Sequence, residues 1–427
     1  MKSTFDSFSF GCRVNQAEKE ELDRQLLSLG YVRSAQNPLV YIINTCAVTG
    51  KAEREARQKI YQTLRRLPDT KIVVTGCAAT NWLKTNQKVP GISLLIDNQN
   101  KKYLAELINR RLKLKNSKLK LAQVIAPLID KFLASKRLIV KIQDGCQRFC
   151  SFCIVPYLRG QPKSKTISQI ISQINAYPSM REAILTAINT EAFGFDTQES
   201  FIDLLSTILR KTAISRLSFG SIHPWTINSE FLQFYSNFCA TGRIVNYFHI
   251  PLQSGSDKML KLMKRGYSSA NFLEKLNKLD QIQPFVFIST DIIVGYLEET
   301  DKDFEDSYQF LKRAPIAKFH IFRYWPRPHT AGYYLSKRLT LPSAHVKHAR
   351  AKRLSDLSSK KYLRFLNTHL EHTFPALLLE KRQKGLQYGL LSNQIPVKVK
   401  TPKKFVGEIK NVKIIDCKNS ELFGKIV

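Results

Sequence analysis

Apolar runs and helical patterns alternate along the first part of the chain. The apolar runs are "FDSFSFG", "LVYIIN", "KIVVTG" and "ISLLI". Between them lie charged segments with helical spacing of their apolar positions, such as "QAEKEELDRQLLSLG" and "GKAEREARQKIYQTLRRL". Continuous apolar strands that alternate with amphipathic helices are typical of a parallel sheet. The pattern predicts an N-terminal parallel α/β domain over residues 1–115.

The same alternation returns after a basic segment. Strand candidates are 138–142, 181–188, 215–221, 245–250, 285–294 and 317–324. Helical patterns separate them and no reversal of strand order is indicated, which favours a partial (βα)6 barrel over a doubly wound sheet. We expect this barrel, with a basic helical stretch closing it, over residues 138–372. Residues 116–137 are predicted to be a basic linker or an RNA-facing surface.

The last part of the chain has strand patterns without helices between them. Five short runs follow one another, namely "FPALLLEK", "LQYGLL", "IPVKVKT", "NVKIID" and "LFGKIV". Short strands at this spacing predict a small all-β barrel of OB-like size over residues 373–427. The fold class is therefore α/β, with a small all-β domain at the end.

Charge changes the picture by pointing to a partner. The chain has 67 Lys and Arg against 34 Asp and Glu, a net charge of +33, which favours a polyanion such as nucleic acid. The segment "KVKTPKKF" (398–405) interleaves lysines with apolar residues, which fits a phosphate-contacting face. The alternative, for this segment and for the chain, is a lysine surface that only contacts solvent. No apolar run approaches the ~18 residues that span a bilayer, and the start has no signal-peptide core. We therefore expect a cytoplasmic protein that does not contact a membrane.

Three cysteines lie close together in "DGCQRFCSFC", at Cys146, Cys150 and Cys153. A nucleophile, a disulfide, a zinc knuckle and an iron–sulfur cluster are all conceivable. Disulfides are rare in a reducing compartment. Structural zinc takes four ligands, and no nearby histidine supplies the fourth, since the next one along the chain is His223. A [4Fe–4S] cluster held by three thiolates keeps one iron open for a substrate or cofactor. The spacing favours that cluster over zinc and over simple packing.

Three further cysteines each follow an apolar strand of the first domain. Cys12 ends "FSFGC", Cys46 ends "VYIINTC" and Cys77 ends "IVVTGC". Strand carboxyl ends share one edge of a parallel sheet, so the three thiols can meet there. Separate burial is the alternative for any one of them. The repeated position favours a second three-thiolate site.

The spacing of Cys146, Cys150 and Cys153 after the first barrel strand resembles the radical S-adenosylmethionine superfamily. The resemblance implies that they bind a [4Fe–4S] cluster whose open iron chelates S-adenosylmethionine, which is cleaved to a 5′-deoxyadenosyl radical. Two cysteine triads followed by a β-barrel resemble the methylthiotransferases, with their α/β, radical and RNA-binding TRAM domains. That resemblance implies a second [4Fe–4S] cluster on Cys12, Cys46 and Cys77 that serves sulfur insertion.

The local sequence around the cysteines distinguishes the branches of that family. "GCRVNQAE", "NTCAVTGKAE" and "KIQDGC" are similar to the branch that acts on N6-threonylcarbamoyladenosine at position 37 of tRNA. Sibling branches act on isopentenyladenosine in tRNA or on ribosomal protein S12, and a non-catalytic RNA-binding protein with structural metals is a further alternative. The implied partner is the anticodon loop of tRNA, with the electron donor, the sulfur source and the tRNA subset left open.

Other motifs match the family less completely. Candidates for polar contacts to the cofactor are Gln253, Ser254 and Asp291. The chain departs from the family pattern at Ala187, where the resemblance implies glycine, and at Leu297 and Glu298, where it implies Pro-Gly. A lost glycine removes freedom from a turn that needs positive φ. We expect these departures to bear on cofactor geometry.

Overall fold

A computed structural model describes residues 3–112 and 135–427. The described residues form two compact units. The first unit contains residues 3–112, Asp144–Arg148 and Cys153–Pro162. The second unit contains residues 135–143, Phe149–Phe152 and Lys163–Val427. The predicted linker 116–137 lies outside the described residues except for its last three positions, and the predicted domain boundaries stay predictions.

The first unit is a parallel sheet with helices. Its strands are β1 (Thr4–Ser9), β2 (Val32–Arg33), β3 (Val40–Thr45), β4 (Lys71–Gly76) and β5 (Leu94–Leu95). Its helices are α1 (Arg13–Ser28), α2 (Gly50–Arg66), α3 (Cys77–Lys84), α4 (Leu104–Arg111) and α5 (Val155–Arg159). The strand order is β2-β1-β3-β4-β5, and every pair is parallel.

Apolar clusters on both faces of this sheet explain why its strands read as continuous apolar runs. All six residues of β3 are buried. Ile43 packs with Ile60 and Trp82 on one face, and Ile42 packs with Phe5 and Leu26 on the other. Burial on both faces is the rule for parallel sheets. The predicted α/β alternation is confirmed.

The second unit begins with the partial barrel. Its strands are β6 (Arg137–Asp144), β7 (Lys163–Ser164), β8 (Glu182–Ala187), β9 (Arg216–Phe219), β10 (Tyr247–His249), β11 (Phe287–Val294) and β12 (Lys318–Arg323). Its helices are α6 (Ile167–Asn175), α7 (Phe201–Lys211), α8 (Ser229–Phe238), α9 (Asp257–Leu262), α10 (Ser269–Ile282), α11 (Asp301–Arg313), α12 (Ala331–Leu335) and α13 (Ala344–Asn367).

Apart from the edge strand β7, the strands of this barrel follow one another in chain order, as predicted. They form a β7-β6-β8-β9 sheet and a β10-β11-β12 sheet. A single parallel bridge between Leu217 and Ile244 connects the two sheets. The six strand candidates all lie within these sheets, and the edge strand β7 is the one the apolar pattern did not predict.

The chain ends in a closed five-stranded barrel. Its strands are β13 (Thr373–Gln383), β14 (Leu386–Leu391), β15 (Pro396–Lys400), β16 (Ile409–Lys418) and β17 (Glu421–Ile426). The order is β13-β14-β15-β17-β16, and all five strands were predicted. The fold class is thereby confirmed.

Apolar packing and hydrogen bonds join the closed barrel to the partial barrel within the second unit. Barrel side chains share a core with Phe287 and Leu366. The Arg216 guanidinium donates to the carbonyls of Leu390 and Leu391 at 2.9 and 2.8 Å. Because these contacts are buried, the two parts support each other.

Among residues 3–112 and 135–427, no helix combines the length and the apolar character that crossing a membrane requires.

Candidate functional site

Three cysteines of the first unit lie at one edge of its sheet. Cys12, Cys46 and Cys77 follow β1, β3 and β4, which are neighbours in the sheet. Gly11 has a φ of +82°, and a Cβ atom built on it would lie 2.8 Å from the Cys46 sulfur. Only glycine tolerates both this conformation and this close approach. The turn before Cys12 therefore brings the chain against Cys46.

The electrostatics of these thiols agree with their proximity. Burial, together with the neighbouring Cys77 and Cys12 sulfurs, raises the pKa of the Cys46 thiol to about 12. The side-chain amide of Asn98 points its nitrogen at the Cys77 sulfur, 3.6 Å away. The sheet places Cys12, Cys46 and Cys77 after three neighbouring strands, and their binding of one cluster stays a prediction.

A buried arginine lies beside this edge. Arg159, at the end of α5, donates to Glu18 at 2.9 Å, to Asp144 at 2.8 Å and to the Asn15 amide oxygen at 2.7 Å. Its side chain is 1% exposed. Burial opposes its charge, but the neighbouring Cys77, Glu18 and Asp144 raise the pKa of Arg159. The guanidinium is thus a permanent cation close to the thiols.

A second cation completes this cluster. The Lys101 ammonium donates to Glu18 at 2.5 Å and to the Asn44 amide oxygen at 3.1 Å. Burial lowers the pKa of Lys101, and the Glu18 carboxylate acts against that change. Glu18 therefore binds two cations, and the cluster beside the thiols is internally charge-paired.

The other three cysteines follow β6 on a single loop. Gly145 opens the loop with a φ of +75°, where a Cβ atom would lie 2.1 Å from the Gln161 carbonyl oxygen. The Cys146 amide donates to the Gly160 carbonyl at 3.0 Å. These contacts hold the start of the loop against the segment that follows Cys153.

Ser151 fixes the middle of the loop. Its hydroxyl donates to the Leu262 carbonyl at 2.7 Å and lies 2.6 Å from the Tyr296 hydroxyl. Its amide donates to the Met263 carbonyl at 3.1 Å, and its carbonyl accepts from the Gly332 amide. Ser151 is fully buried, so all of its polar groups are satisfied by protein.

Cys150 lies beside a buried arginine of the same unit. The Nη1 atom of Arg265 donates to the Cys150 sulfur at 3.2 Å. Cys150 is 8% exposed and Arg265 is 4% exposed. Sequence analysis did not single out Arg265, because 114 residues separate it from the cysteine and its "KRGY" context has no distinctive pattern.

The three candidate cofactor contacts occupy different environments. Gln253 has a φ of +80°, and its backbone pairs with Asp291 and Ile293. The Ser254 hydroxyl lies 3.0 Å from that of Ser307 and is fully buried. Strained backbone at non-glycine residues is a feature of ligand sites, which favours Gln253 over Ser254. Their cofactor-binding role stays a prediction.

Asp291 lies close to two histidines, His249 and His320. Sequence analysis did not single out either histidine. The Asp291 Oδ2 atom lies 3.2 Å from His249 Nε2, and its Oδ1 atom lies 3.9 Å from His320 Nδ1. The other nitrogen of His249 lies 2.9 Å from the Ser289 hydroxyl. These side chains come from β10, β11 and β12. The shared register of neighbouring parallel strands is the signal that links them.

The two departures from the family pattern are accommodated differently. Ala187 ends β8 and is not among the residues with positive φ, so alanine is unstrained there. Glu298 has a φ of +56°. Its amide donates to the Thr340 carbonyl at 2.9 Å, and its carboxylate accepts from the Thr340 amide at 2.5 Å. These hydrogen bonds offset the left-handed conformation that glycine would adopt freely.

The donor sets can be tested against the groups that the sequence implies. All eight cysteines are free thiols. Within the ranges that the structure describes, no three His, Cys, Asp or Glu side chains are grouped so that they could hold one metal ion. A cubane cluster makes a different demand, because its thiolates bind different irons. Free thiols beside buried cations therefore fit [4Fe–4S] clusters better than one zinc ion.

Known proteins resemble this chain over most of its length. The model of the Radical SAM superfamily matches residues 140–311, and that of the Uncharacterized protein family UPF0004 matches residues 4–96. The threonylcarbamoyladenosine tRNA methylthiotransferase MtaB of Aquifex aeolicus is 31% identical, with 90% of this chain and 94% of that protein covered. The enzyme of the same name from Bacillus subtilis is also 31% identical, with 95% and 92% covered.

A solved structure is similar in fold. The radical S-adenosylmethionine methyltransferase TsrM from Kitasatospora setae, with cobalamin and a [4Fe–4S] cluster bound, has a TM-score of 0.55 and 12% identity. The match covers 79% of this chain and 78% of that one. At this identity the likeness concerns the fold alone.

Proposed function

Because the chain belongs to the radical S-adenosylmethionine tRNA methylthiotransferases, we propose that it methylthiolates C2 of N6-threonylcarbamoyladenosine at position 37 of tRNA. A [4Fe–4S] cluster and S-adenosylmethionine are the cofactors of the radical superfamily. The observation that carries the proposal is the grouping of Cys12, Cys46 and Cys77 at one sheet edge.

The two thiol sets have separate roles in this proposal. Cys146, Cys150 and Cys153 would hold the cluster that, when bound, supplies the electron for cleavage of S-adenosylmethionine. Ser151 keeps their loop in place through its four hydrogen bonds. Cys12, Cys46 and Cys77 would hold a second cluster beside Arg159, whose charge Glu18 and Asp144 stabilise.

Gln253 and Asp291 would contact S-adenosylmethionine from the strand ends of the partial barrel. The strained backbone of Gln253 and the partly exposed carboxylate of Asp291 support these roles. Ser254 would act indirectly through its bond to Ser307.

The closed barrel is the proposed RNA-binding part, and the protein is proposed to work in the cytoplasm. A groove of about 430 Å³ lies between α13 and the barrel. Lysine ammonium groups lie over aromatic rings there, Lys318 over Tyr362 at 4.5 Å and Lys398 over Tyr388 at 5.5 Å. Lysines bind phosphates and aromatic rings stack on bases. Both features suit an anticodon stem and loop.

Nucleoside mass spectrometry of tRNA tests the reaction. Cells that carry the gene should contain 2-methylthio-N6-threonylcarbamoyladenosine, and cells without it should contain only the unmodified precursor. Loss of 2-methylthio-isopentenyladenosine instead would identify the sibling branch. Purified, anaerobically reconstituted protein should hold roughly eight irons per chain. Stoichiometric zinc with little iron would favour a non-catalytic RNA-binding protein.

Lysine substitution in the full chain tests the RNA site. Deletion of residues 374–427 would expose the shared core, so Lys400→Ala with Lys403→Ala is the sharper change, since both side chains are exposed. We expect weaker tRNA binding and a salt-dependence slope smaller by about 1–2. The matched control is Lys278→Ala with Lys302→Ala, on helices of the same unit. Equal effects of the two pairs would remove the barrel from the RNA site.

A further inference from the structure

Arg265 is held by three directional hydrogen bonds. Nη1 donates to the Cys150 sulfur at 3.2 Å, Nη2 donates to the Pro251 carbonyl at 3.0 Å, and Nε donates to the Tyr267 hydroxyl at 2.8 Å. Each bond uses a different nitrogen of the guanidinium. The plane and direction of the group are therefore fixed, and one of its corners points at the sulfur.

Aromatic rings enclose the same guanidinium. Its central carbon lies 4.9 Å from the Trp225 ring and 5.3 Å from the Tyr267 ring. No aspartate or glutamate among residues 3–112 and 135–427 forms an ion pair with Arg265. A buried cation requires an anion nearby. Of the groups that Arg265 contacts, the Cys150 sulfur is the one that metal binding converts to a full anion.

The segment that carries Arg265 also holds the cysteine loop. Leu262 and Met263 accept hydrogen bonds from Ser151, the residue after Cys150. Arg265 follows two residues later and reaches Cys150 itself. The segment 262–265 therefore holds the cysteine loop in place and also carries the guanidinium that donates to the Cys150 sulfur.

We propose that Arg265 is a positioning residue that donates a hydrogen bond to the cluster thiolate of Cys150 and raises the reduction potential of that cluster. The inference rests on the proposed function, because it requires Cys150 to be a cluster ligand. Hydrogen bonds to cluster sulfurs and nearby positive charge favour the state with one more electron. Arg265 stabilises the electron that a low-potential one-electron donor supplies. When bound, the reduced cluster would supply that electron for cleavage of the C5′–S bond of S-adenosylmethionine into methionine and a 5′-deoxyadenosyl radical.

A redox titration of the reconstituted full chain tests the inference. Dithionite is the reductant, and the readout is the electron paramagnetic resonance signal that changes when S-adenosylmethionine is added. At a solution potential equal to the wild-type midpoint, Arg265→Met should have about tenfold less reduced cluster relative to oxidised cluster. This ratio corresponds to a midpoint potential lower by ~59 mV for a one-electron couple. Methionine keeps an unbranched chain against Trp225 and Tyr267. Arg265→Lys should restore part of the ratio, because it keeps the charge.

The matched control is Arg243→Met. The Arg243 guanidinium donates to the carbonyls of Leu209, Thr212 and Ile214 and to no thiol. This variant should keep the wild-type midpoint. A shift as large as that of Arg265→Met would mean that loss of any partly buried arginine disturbs the cluster, and would overturn the inference.

The outcomes separate the inference from the proposed function. Wild-type protein without a cluster that responds to S-adenosylmethionine would overturn the proposed function. A normal cluster with an unchanged midpoint in Arg265→Met would overturn the inference alone, and so would weaker S-adenosylmethionine binding at an unchanged midpoint.

If Arg265→Met does not retain its iron, Tyr267→Phe replaces it as the test. This change removes only the oxygen that accepts from Nε. We expect a shift of the same sign, about twofold to threefold in the ratio, and an unchanged midpoint would overturn the inference.

Discussion

The two thiol sets are held in different ways. Cys12, Cys46 and Cys77 follow the ends of three neighbouring strands of a sheet, so the sheet itself sets their spacing. Cys146, Cys150 and Cys153 lie within eight residues of one loop, which depends on side-chain and backbone contacts to stay in place. The first set is preorganised by the fold, and the second set is preorganised by individual hydrogen bonds.

Each set also has one buried arginine, with different partners. Arg159 is paired with the carboxylates of Glu18 and Asp144, so its charge is balanced without a cluster. Arg265 contacts a thiol, a carbonyl, a phenol and aromatic rings, so its charge lacks a carboxylate. The first site is therefore electrostatically complete as a protein. The second becomes complete when Cys150 is an anion.

Removal of one cysteine from each set gives the largest expected effect. Cys150→Ala should abolish both 5′-deoxyadenosine formation and tRNA modification. Cys46→Ala should abolish methylthiolation and leave S-adenosylmethionine cleavage measurable, because the other set keeps its ligands. Both products are followed anaerobically with dithionite. A folded Cys46→Ala protein that retains half its iron and still methylthiolates at the wild-type rate would make the first set structural.

Arg159→Met tests the charge-paired half of the comparison. The change removes the buried guanidinium from both Glu18 and Asp144, so we expect the free energy of unfolding to fall by about 3 kcal/mol. Hydrogen exchange of residues 3–112 measures it. The control Arg57→Met removes a partly exposed pair with Glu53 and should cost less than 1 kcal/mol. Similar losses in the two variants would mean that burial of the pair is unimportant.

Acid should act on the second unit through His369. Burial lowers the pKa of His369 to about 4, and its Nε2 accepts from Asn393. The folded-state pKa lies below the unfolded value, so the stability contribution is present above about pH 6.5 and is lost as the pH falls toward 4. The loss between pH 7 and pH 5 should be about 2 kcal/mol.

Hydrogen exchange of residues 373–427 at the two pH values checks this loss. His369→Gln should remove most of the difference, and the exposed His345→Gln should not. If residues 3–112 lose as much protection as residues 373–427 between pH 7 and pH 5, the prediction that acid acts on the second unit through His369 is wrong.

The smallest effects concern the surroundings of the cysteine loop. Ala187 pairs with Gln143, just before the loop, so Ala187→Gly should lower the free energy of unfolding by about 0.5–1 kcal/mol through backbone entropy. Glu298→Gly relieves a left-handed conformation but removes the bond to Thr340, and should change stability by less than about 0.5 kcal/mol. Chemical denaturation measures both. Stabilisation by Ala187→Gly would mean that alanine impairs this strand end.

Sequence pattern predicted the strands because buried parallel strands are continuous apolar runs. It predicted all the longer strands, from β1 to β17, and the closed barrel. It did not predict β2 and β7, which have two residues each and no apolar run. The strand-end position of Cys12, Cys46 and Cys77 followed from the same pattern, since each cysteine comes directly after a predicted strand.

The partners of the thiols were beyond the pattern. Arg159 meets Glu18 across 141 positions of chain, and Arg265 meets Cys150 across 115. Neither pair has a local signal, because such contacts depend on how distant elements pack. The left-handed backbone of Gln253 is likewise a tertiary effect, since glutamine does not favour positive φ.

The contacts between the closed barrel and the partial barrel set an order for synthesis. Arg216 donates to the carbonyls of Leu390 and Leu391, and Glu182 accepts a hydrogen bond from the side-chain amide of Gln394. These partners are synthesised after the whole partial barrel, whereas Arg159 and Glu18 are both available once 162 residues have emerged. Domains fold from the N-terminus as they are made. The first unit can therefore fold early on the ribosome, while the second unit stays incomplete until its closed barrel has been made.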